Sequence, residues 1–112
     1  MLQATQFYRC LCEPLRLRIL SLLMEGPLCV CHLQTALDEN QVKVSKHLAY
    51  LRRCNLVEKR KRGTWAYYEL TSREHPLLRE NLRMTREMED EEAYFAHDLV
   101  RLKRLQEEGL CS

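Results

Sequence analysis

Two cysteines one residue apart, in Leu28-Cys29-Val30-Cys31-His32, are the side chains of this chain best suited to chemistry. Thiolates are soft ligands, so a Cys-X-Cys pair clamps thiophilic ions and suits hard cations poorly. Just downstream, the segment from Gln41 to Leu51 offers Gln41, Lys43, Ser45, Lys46 and His47, whose side chains can bond base edges and phosphates in a major groove. A soft-ion clamp and a nucleic-acid reader therefore sit on one short stretch of chain.

These residues need elements to position them. Ala4 to Cys12 suits a short helix, and Glu13-Pro14 opens a second in which Leu15, Ile19, Leu22 and Leu23 recur at helical spacing until Gly26-Pro27 ends it. Cys29 to Leu37 forms the next helix, with Val30, Leu33 and Leu37 on one side, and Asp38-Glu39-Asn40 is a turn. Gln41 to Cys54 follows as a helix that buries Val44, Leu48 and Leu51. Two short helices around a tight turn make a helix-turn-helix. The period then alternates through Leu56 to Arg60, a Lys61-Arg62-Gly63-Thr64 tip, and Trp65 to Leu70, which predicts a hairpin with Trp65, Tyr67 and Tyr68 packed as core. His75-Pro76 precedes a last helical stretch to about Glu108. Its apolar positions Leu78, Leu82, Met88, Phe95, Leu99 and Leu102 exceed what one small domain face requires, so part of it is expected to form a dimer seam.

At 112 residues the chain is one domain, 1–112, small enough that pairing with a copy of itself is the natural way to cover its surface. The formal charge of +2 does not by itself imply nucleic acid. Distribution does: Lys43, Lys46, Arg52, Arg53, Lys59, Arg60, Lys61 and Arg62 face a single acid, Glu58, whereas Glu87 to Glu92 is an acidic run for solvent. The 6 cysteines are not read as a secreted disulfide framework, because the first residues lack the charged start and apolar core of a signal peptide. They are expected to be reduced thiols of a cytoplasmic protein, and no stretch reaches the length of a membrane span. No paired acids, phosphate loop or Ser-His-Asp set is present, so an enzyme is not expected.

The succession Glu13-Pro14-Leu15-Arg16-Leu17-Arg18-Ile19-Leu20, Leu28-Cys29-Val30-Cys31-His32-Leu33, Gln41-Val42-Lys43-Val44-Ser45-Lys46-His47-Leu48 and Gly63-Thr64-Trp65-Ala66-Tyr67-Tyr68 resembles the ArsR/SmtB family of metal-responsive repressors, from about Phe7 to Leu70. The resemblance implies a mainly α fold with a small β-hairpin, a homodimeric winged helix-turn-helix with dimerisation helices at both ends of the chain. It also implies a repressor on inverted-repeat operator DNA, with half-sites about one helical turn apart. Cys-Val-Cys at this position resembles the inducer site of the arsenite-responsive branch. It implies release by As(III) or Sb(III) through Cys29 and Cys31, with no organic cofactor and with arsenic-resistance genes as targets.

Within that frame, Gln41 and Lys46 are candidates for base contact, Lys43, Ser45 and His47 for phosphates, and Arg60, Lys61 and Arg62 for the backbone or minor groove under the hairpin tip. On an ideal helix of about 100° per residue, an i,i+2 pair points roughly 200° apart. One ion bonding both Cys29 and Cys31 therefore distorts the first turn of the helix, and that strain is the expected switch. The third cysteine common in the family is replaced by Gln34, which leaves Cys10, Cys12, Cys54, Cys111 or an exogenous group as third ligand. The simpler reading of Cys10, Cys12 and Cys54 is buried, inert filler. His32 is expected on the exposed side of its helix, and His97 with Asp98 is too little for the zinc site of related sensors. A Cd(II)/Pb(II)-responsive repressor and a metal-free thiol redox repressor are the alternatives.

Overall fold

The computed structural model describes residues 2–71, 76–88 and 93–109. Helix α1 (Leu2–Leu11) turns at Cys12-Glu13 into α2 (Pro14–Leu23). Proline suits the first helical turn, where its missing N–H has no partner to lose, and the Glu13 side chain caps that turn by accepting the Arg16 N–H at 2.9 Å. Helix α2 is the central rod of the molecule. Besides the expected Leu15, Ile19, Leu22 and Leu23 it buries Leu20 and Ser21, so it is packed on nearly all sides.

A two-residue strand, β1 (Leu28–Cys29), leads directly into α3 (Val30–Leu37). Asp38 takes the left-handed conformation (φ 54) that ends α3, and Asn40 caps α4 (Gln41–Arg53) by accepting the Lys43 N–H at 2.9 Å. The hairpin consists of β2 (Val57–Arg62) and β3 (Trp65–Leu70), registered from Val57 opposite Leu70 to Arg62 opposite Trp65. Gly63, at φ 62, supplies the left-handed backbone that its two-residue loop needs. Strand β1 pairs antiparallel with β3, making a three-stranded sheet of order β1-β3-β2 that a hairpin alone does not anticipate. Mostly helical, with a helix-turn-helix and this small sheet beside it, the chain is a winged helix-turn-helix.

The expected terminal helix is two helices, α5 (Pro76–Glu87) and α6 (Tyr94–Glu108), with Ala93 left-handed (φ 52) ahead of the second. Leu78, Leu82 and Leu102 join the core of Ile19, Leu33, Leu37, Val44, Leu48 and Leu51, so these supposed seam positions are spent within the subunit. Leu77, Met84, Tyr94 and Val100 on α5 and α6, with Met88 just past the end of α5, are the large apolar side chains that this part of the chain leaves exposed. Most of the acidic run, together with His75 and Cys111, lies outside the described residues. Trp65 is 45% exposed rather than core, because it sits at the wing tip beyond the reach of the packed helices; Tyr67 and Tyr68 are half-buried as strand residues.

Candidate functional site

Cys29 is not in the helix. It pairs with Tyr67 across the sheet and precedes α3 as its N-cap residue, with extended backbone (φ −79, ψ 163), while Cys31 lies in the first turn of α3. This change of conformation between the two cysteines brings their Sγ atoms to 2.9 Å. The divergence expected of two helical residues does not arise, and with it goes the idea that one ion must unwind the first turn to reach both sulfurs. Cys29 is a buried free thiol and Cys31 is disulfide-bonded, so both serve as ligands only in the reduced protein. Once Cys31 is released from its disulfide, two sulfurs this close, one on a strand and one on a helix, fit a thiophilic ion held across the β1–α3 junction.

No third ligand joins them among the described residues, where no cluster of three or more His, Cys, Asp or Glu is found. Cys10 and Cys54 are instead joined to each other by a disulfide. That corrects the expectation of reduced, inert thiols: the end of α1 and the residue closing α4 meet in space although 44 positions separate them in sequence. Cys12 is exposed, not buried. His32 is half-buried rather than exposed.

Along α4, Gln41, Lys43 and Lys46 are exposed and Ser45 is partly so, as a reading face requires. His47 departs from this pattern. Its side chain is 19% exposed, with Nε2 3.7 Å from a Glu13 carboxylate oxygen and Nδ1 3.4 Å from Arg16 Nη1. Arg16 also donates to the carbonyls of Cys10 (2.8 Å) and Arg9 (3.1 Å) and lies over the Tyr50 ring. His47 thus pins α4 to the α1–α2 corner, a contact that the expectation of a phosphate ligand does not include. Sequence spacing could not show this, since Glu13 and His47 are far apart in the chain.

At the wing, Lys61 and Arg62 are exposed, but Arg60 lies between Glu58 and Glu69 and is ion-paired with both. The charge of Glu69 and then the hydrogen bond to Glu58 push the Arg60 guanidinium above its ordinary pKa. Much of its charge is already answered within the subunit. Arg52 and Arg53, omitted from the sequence-based site, are exposed beside Ala49, Asn55 and Lys59 in an open groove between α4 and β2. Two adjacent arginines closing a reading helix were the available signal.

Helix α3 is fastened at its other end. Arg18 donates to the Leu37 carbonyl (2.8 Å) and Arg101 to the Ala36 carbonyl (2.6 Å), and both hold the buried carboxylate of Asp98 on α6. The hydrogen bond to Asp98, reinforced by its charge and opposed by burial, raises the Arg18 pKa. Asp98 is therefore engaged by both arginines within the subunit.

Residues 13–59 match the family model described as bacterial regulatory protein, arsR family. The chain is 49% identical over 67 residues to the arsenical resistance operon repressor of Escherichia coli (strain K12), a match covering 59% of this chain and 57% of that protein. To the arsenical resistance operon repressor of Bacillus subtilis (strain 168) it is 39% identical over 79 residues, covering 69% of this chain and 75% of that one. The chain thus spans little more than half of the first relative and three quarters of the second. In structure it is similar to a homodimeric winged helix-turn-helix DNA-binding domain from Mycobacterium bovis, with a TM-score of 0.64, 28% identity, and 77% of each chain covered. With the sequence match centred on the helix-turn-helix and the fold matching around it, the chain belongs to the arsR family of bacterial regulatory proteins.

Proposed function

We propose that this chain is a metalloid-responsive transcriptional repressor. As a homodimer it holds an inverted-repeat operator through α4 and the β2–β3 wing, and it lets go when As(III) or Sb(III) bonds reduced Cys29 and Cys31. The observation that carries the reading is the 2.9 Å approach of the two sulfurs at the β1–α3 junction. Trivalent arsenic and antimony supply a soft centre that bonds thiolates. Cys29 belongs to a strand paired with the wing, and Cys31 to a helix packed on α4. Fixing the distance between them therefore acts on both DNA-contacting elements at once.

Gln41 and Lys46 contact bases, Lys43 and Ser45 contact phosphates, and Lys61 and Arg62 bring the wing to the backbone, with Arg52 and Arg53 added to the phosphate contacts and Arg60 and His47 serving mainly to hold the structure. The apolar side chains exposed on α5 and α6 support pairing with a second copy, as does the homodimeric state of the Mycobacterium bovis relative. Two-fold symmetry in the protein then asks for an inverted repeat in the DNA. The names of the two repressor relatives support arsenic resistance as the setting.

A second reading, a metal-free thiol redox repressor, is favoured by one observation: the Cys10–Cys54 disulfide ties α1 to the end of α4. Fluorescence anisotropy of labelled DNA from upstream of the gene, with reduced protein, separates the readings. Release by arsenite and antimonite, abolished by Cys29→Ser or Cys31→Ser, is the expected result. Release by cadmium in their place would assign the protein to Cd(II)/Pb(II), and release by hydroperoxide alone would assign it to the redox reading.

A further inference from the structure

The buried stripe of α4 is Val44, Leu48 and Leu51. At 3.6 residues per turn, Val42, Lys46, Ala49 and Arg53 all lie about 130° or more from that stripe, along the outermost line of the helix. All four are exposed, and Val42, at 78%, is as exposed as any large apolar side chain described. Gln41, the sequence-based candidate for base contact, lies nearer the side of the helix. The residues that face outward most directly therefore alternate apolar and basic.

Neither packing nor helix propensity accounts for Val42. Its side chain has no place in the core, and a β-branched residue near a helix start lowers propensity slightly. Its surroundings are mainly cationic: Lys43, ion-paired with Glu39 at 3.6 Å, beside it, Lys46 one turn on, and Arg52 and Arg53 at the far end. A polyanion drawn to these charges brings its groove floor against the two apolar side chains. In a major groove the apolar feature of the floor is the C5-methyl group of thymine, which apolar side chains contact in direct readout.

We infer that Val42 is a specificity-determining residue that selects a thymine in each half-site by packing against its C5-methyl group. Ala49 lies on the same line, and its small side chain lets the helix backbone approach the groove. The stiff χ1 of valine means that little side-chain freedom is lost on docking. This inference rests on the reading of α4 as the DNA-reading helix.

The test uses reduced full-length protein and duplexes that it selects from a random DNA pool. Each selected thymine is replaced in turn by deoxyuridine, which lacks only the methyl group. At one position per half-site the replacement should weaken binding about fourfold, the factor for burying one methyl group. Val42→Ala should bind the thymine duplex more weakly and lose this sensitivity, while melting no lower than the parent because the exposed side chain has no core contact to lose and alanine favours the helix. Equal sensitivity in parent and Val42→Ala, or sensitivity in neither, would overturn the inference while leaving DNA binding intact. Failure of the protein to bind any duplex would overturn the underlying reading as well.

Discussion

Replacing Asp98 by alanine tests how α3 is anchored. The carboxylate is 1% exposed and accepts three charge-assisted hydrogen bonds: Arg18 Nε at 2.9 Å, Arg18 Nη2 at 2.8 Å and Arg101 Nη2 at 2.9 Å. Removing one partner of a buried ion pair costs about 3–5 kcal/mol, mainly because the remaining charge is left uncompensated. Here the side chains of Arg18 and Arg101 are 14% and 37% exposed and keep their bonds to α3 carbonyls, so water and backbone relieve part of the penalty. The expected loss is therefore at the lower end, about 3 kcal/mol, or roughly 12 °C in melting temperature for a domain of this size. Thermal and urea melts of Asp98→Ala followed by circular dichroism measure it. Arg101→Ala, which removes the more exposed partner, should cost only about 1 kcal/mol. An Asp98→Ala variant within about 0.5 kcal/mol of the parent, the range of ordinary surface changes, would refute the reasoning.

Three further outcomes follow from the geometry. The Cys10–Cys54 disulfide spans a sequence separation of 44, so its reduction should lower stability by about 4 kcal/mol on the chain-entropy account, and Cys54→Ser should remove that part of the reductant dependence in a denaturant melt while leaving the part due to the Cys31 disulfide. Lys61→Ala or Arg62→Ala should each reduce the slope of log affinity against log salt by about 0.9 for each phosphate no longer neutralised, whereas Arg60→Ala, whose charge is answered by Glu58 and Glu69, should change the slope little. His47→Ala should weaken DNA binding through misplacement of α4 while leaving the salt slope as it was; a slope reduced as far as in the Lys61 variant would return His47 to the phosphate contacts.

Local rules made much of this molecule legible. Pro14 and Asn40 mark where α2 and α4 begin, Gly63 marks the hairpin, and the spacing of Val44, Leu48 and Leu51 picks out the buried side of α4. What escaped depended on contacts distant in sequence. The Cys29–Cys31 pair was recognised, but its geometry depends on Leu28 and Cys29 pairing with Tyr68 and Tyr67, which a two-residue strand does not announce. His47 looked like its neighbours on a helical wheel until Glu13 and Arg16 came against it from the α1–α2 corner. The basic run at the wing suggested three free cations, yet cross-strand and same-strand acids claim Arg60. Left-handed Ala93 has no glycine or proline beside it to give away the break before α6.

The short sulfur–sulfur distance constrains how an inducer can act. A ligand shifts an equilibrium only by the difference between its affinities for the two states. The sulfurs of Cys29 and Cys31 lie 2.9 Å apart, and an inducer that expels DNA must find the reduced pair less well placed when α4 and the wing are engaged on DNA than when they are free of it. Linkage makes the effect reciprocal: if inducer weakens operator binding a hundredfold, about 2.7 kcal/mol, operator must weaken inducer binding by the same factor. Calorimetric titration of arsenite into reduced protein, alone and saturated with its selected duplex, tests this directly. The dissociation constant should rise on DNA by the factor that arsenite imposes on DNA affinity. Equal arsenite affinity in both titrations would mean that the thiol pair does not communicate with the reading elements, however close the sulfurs lie.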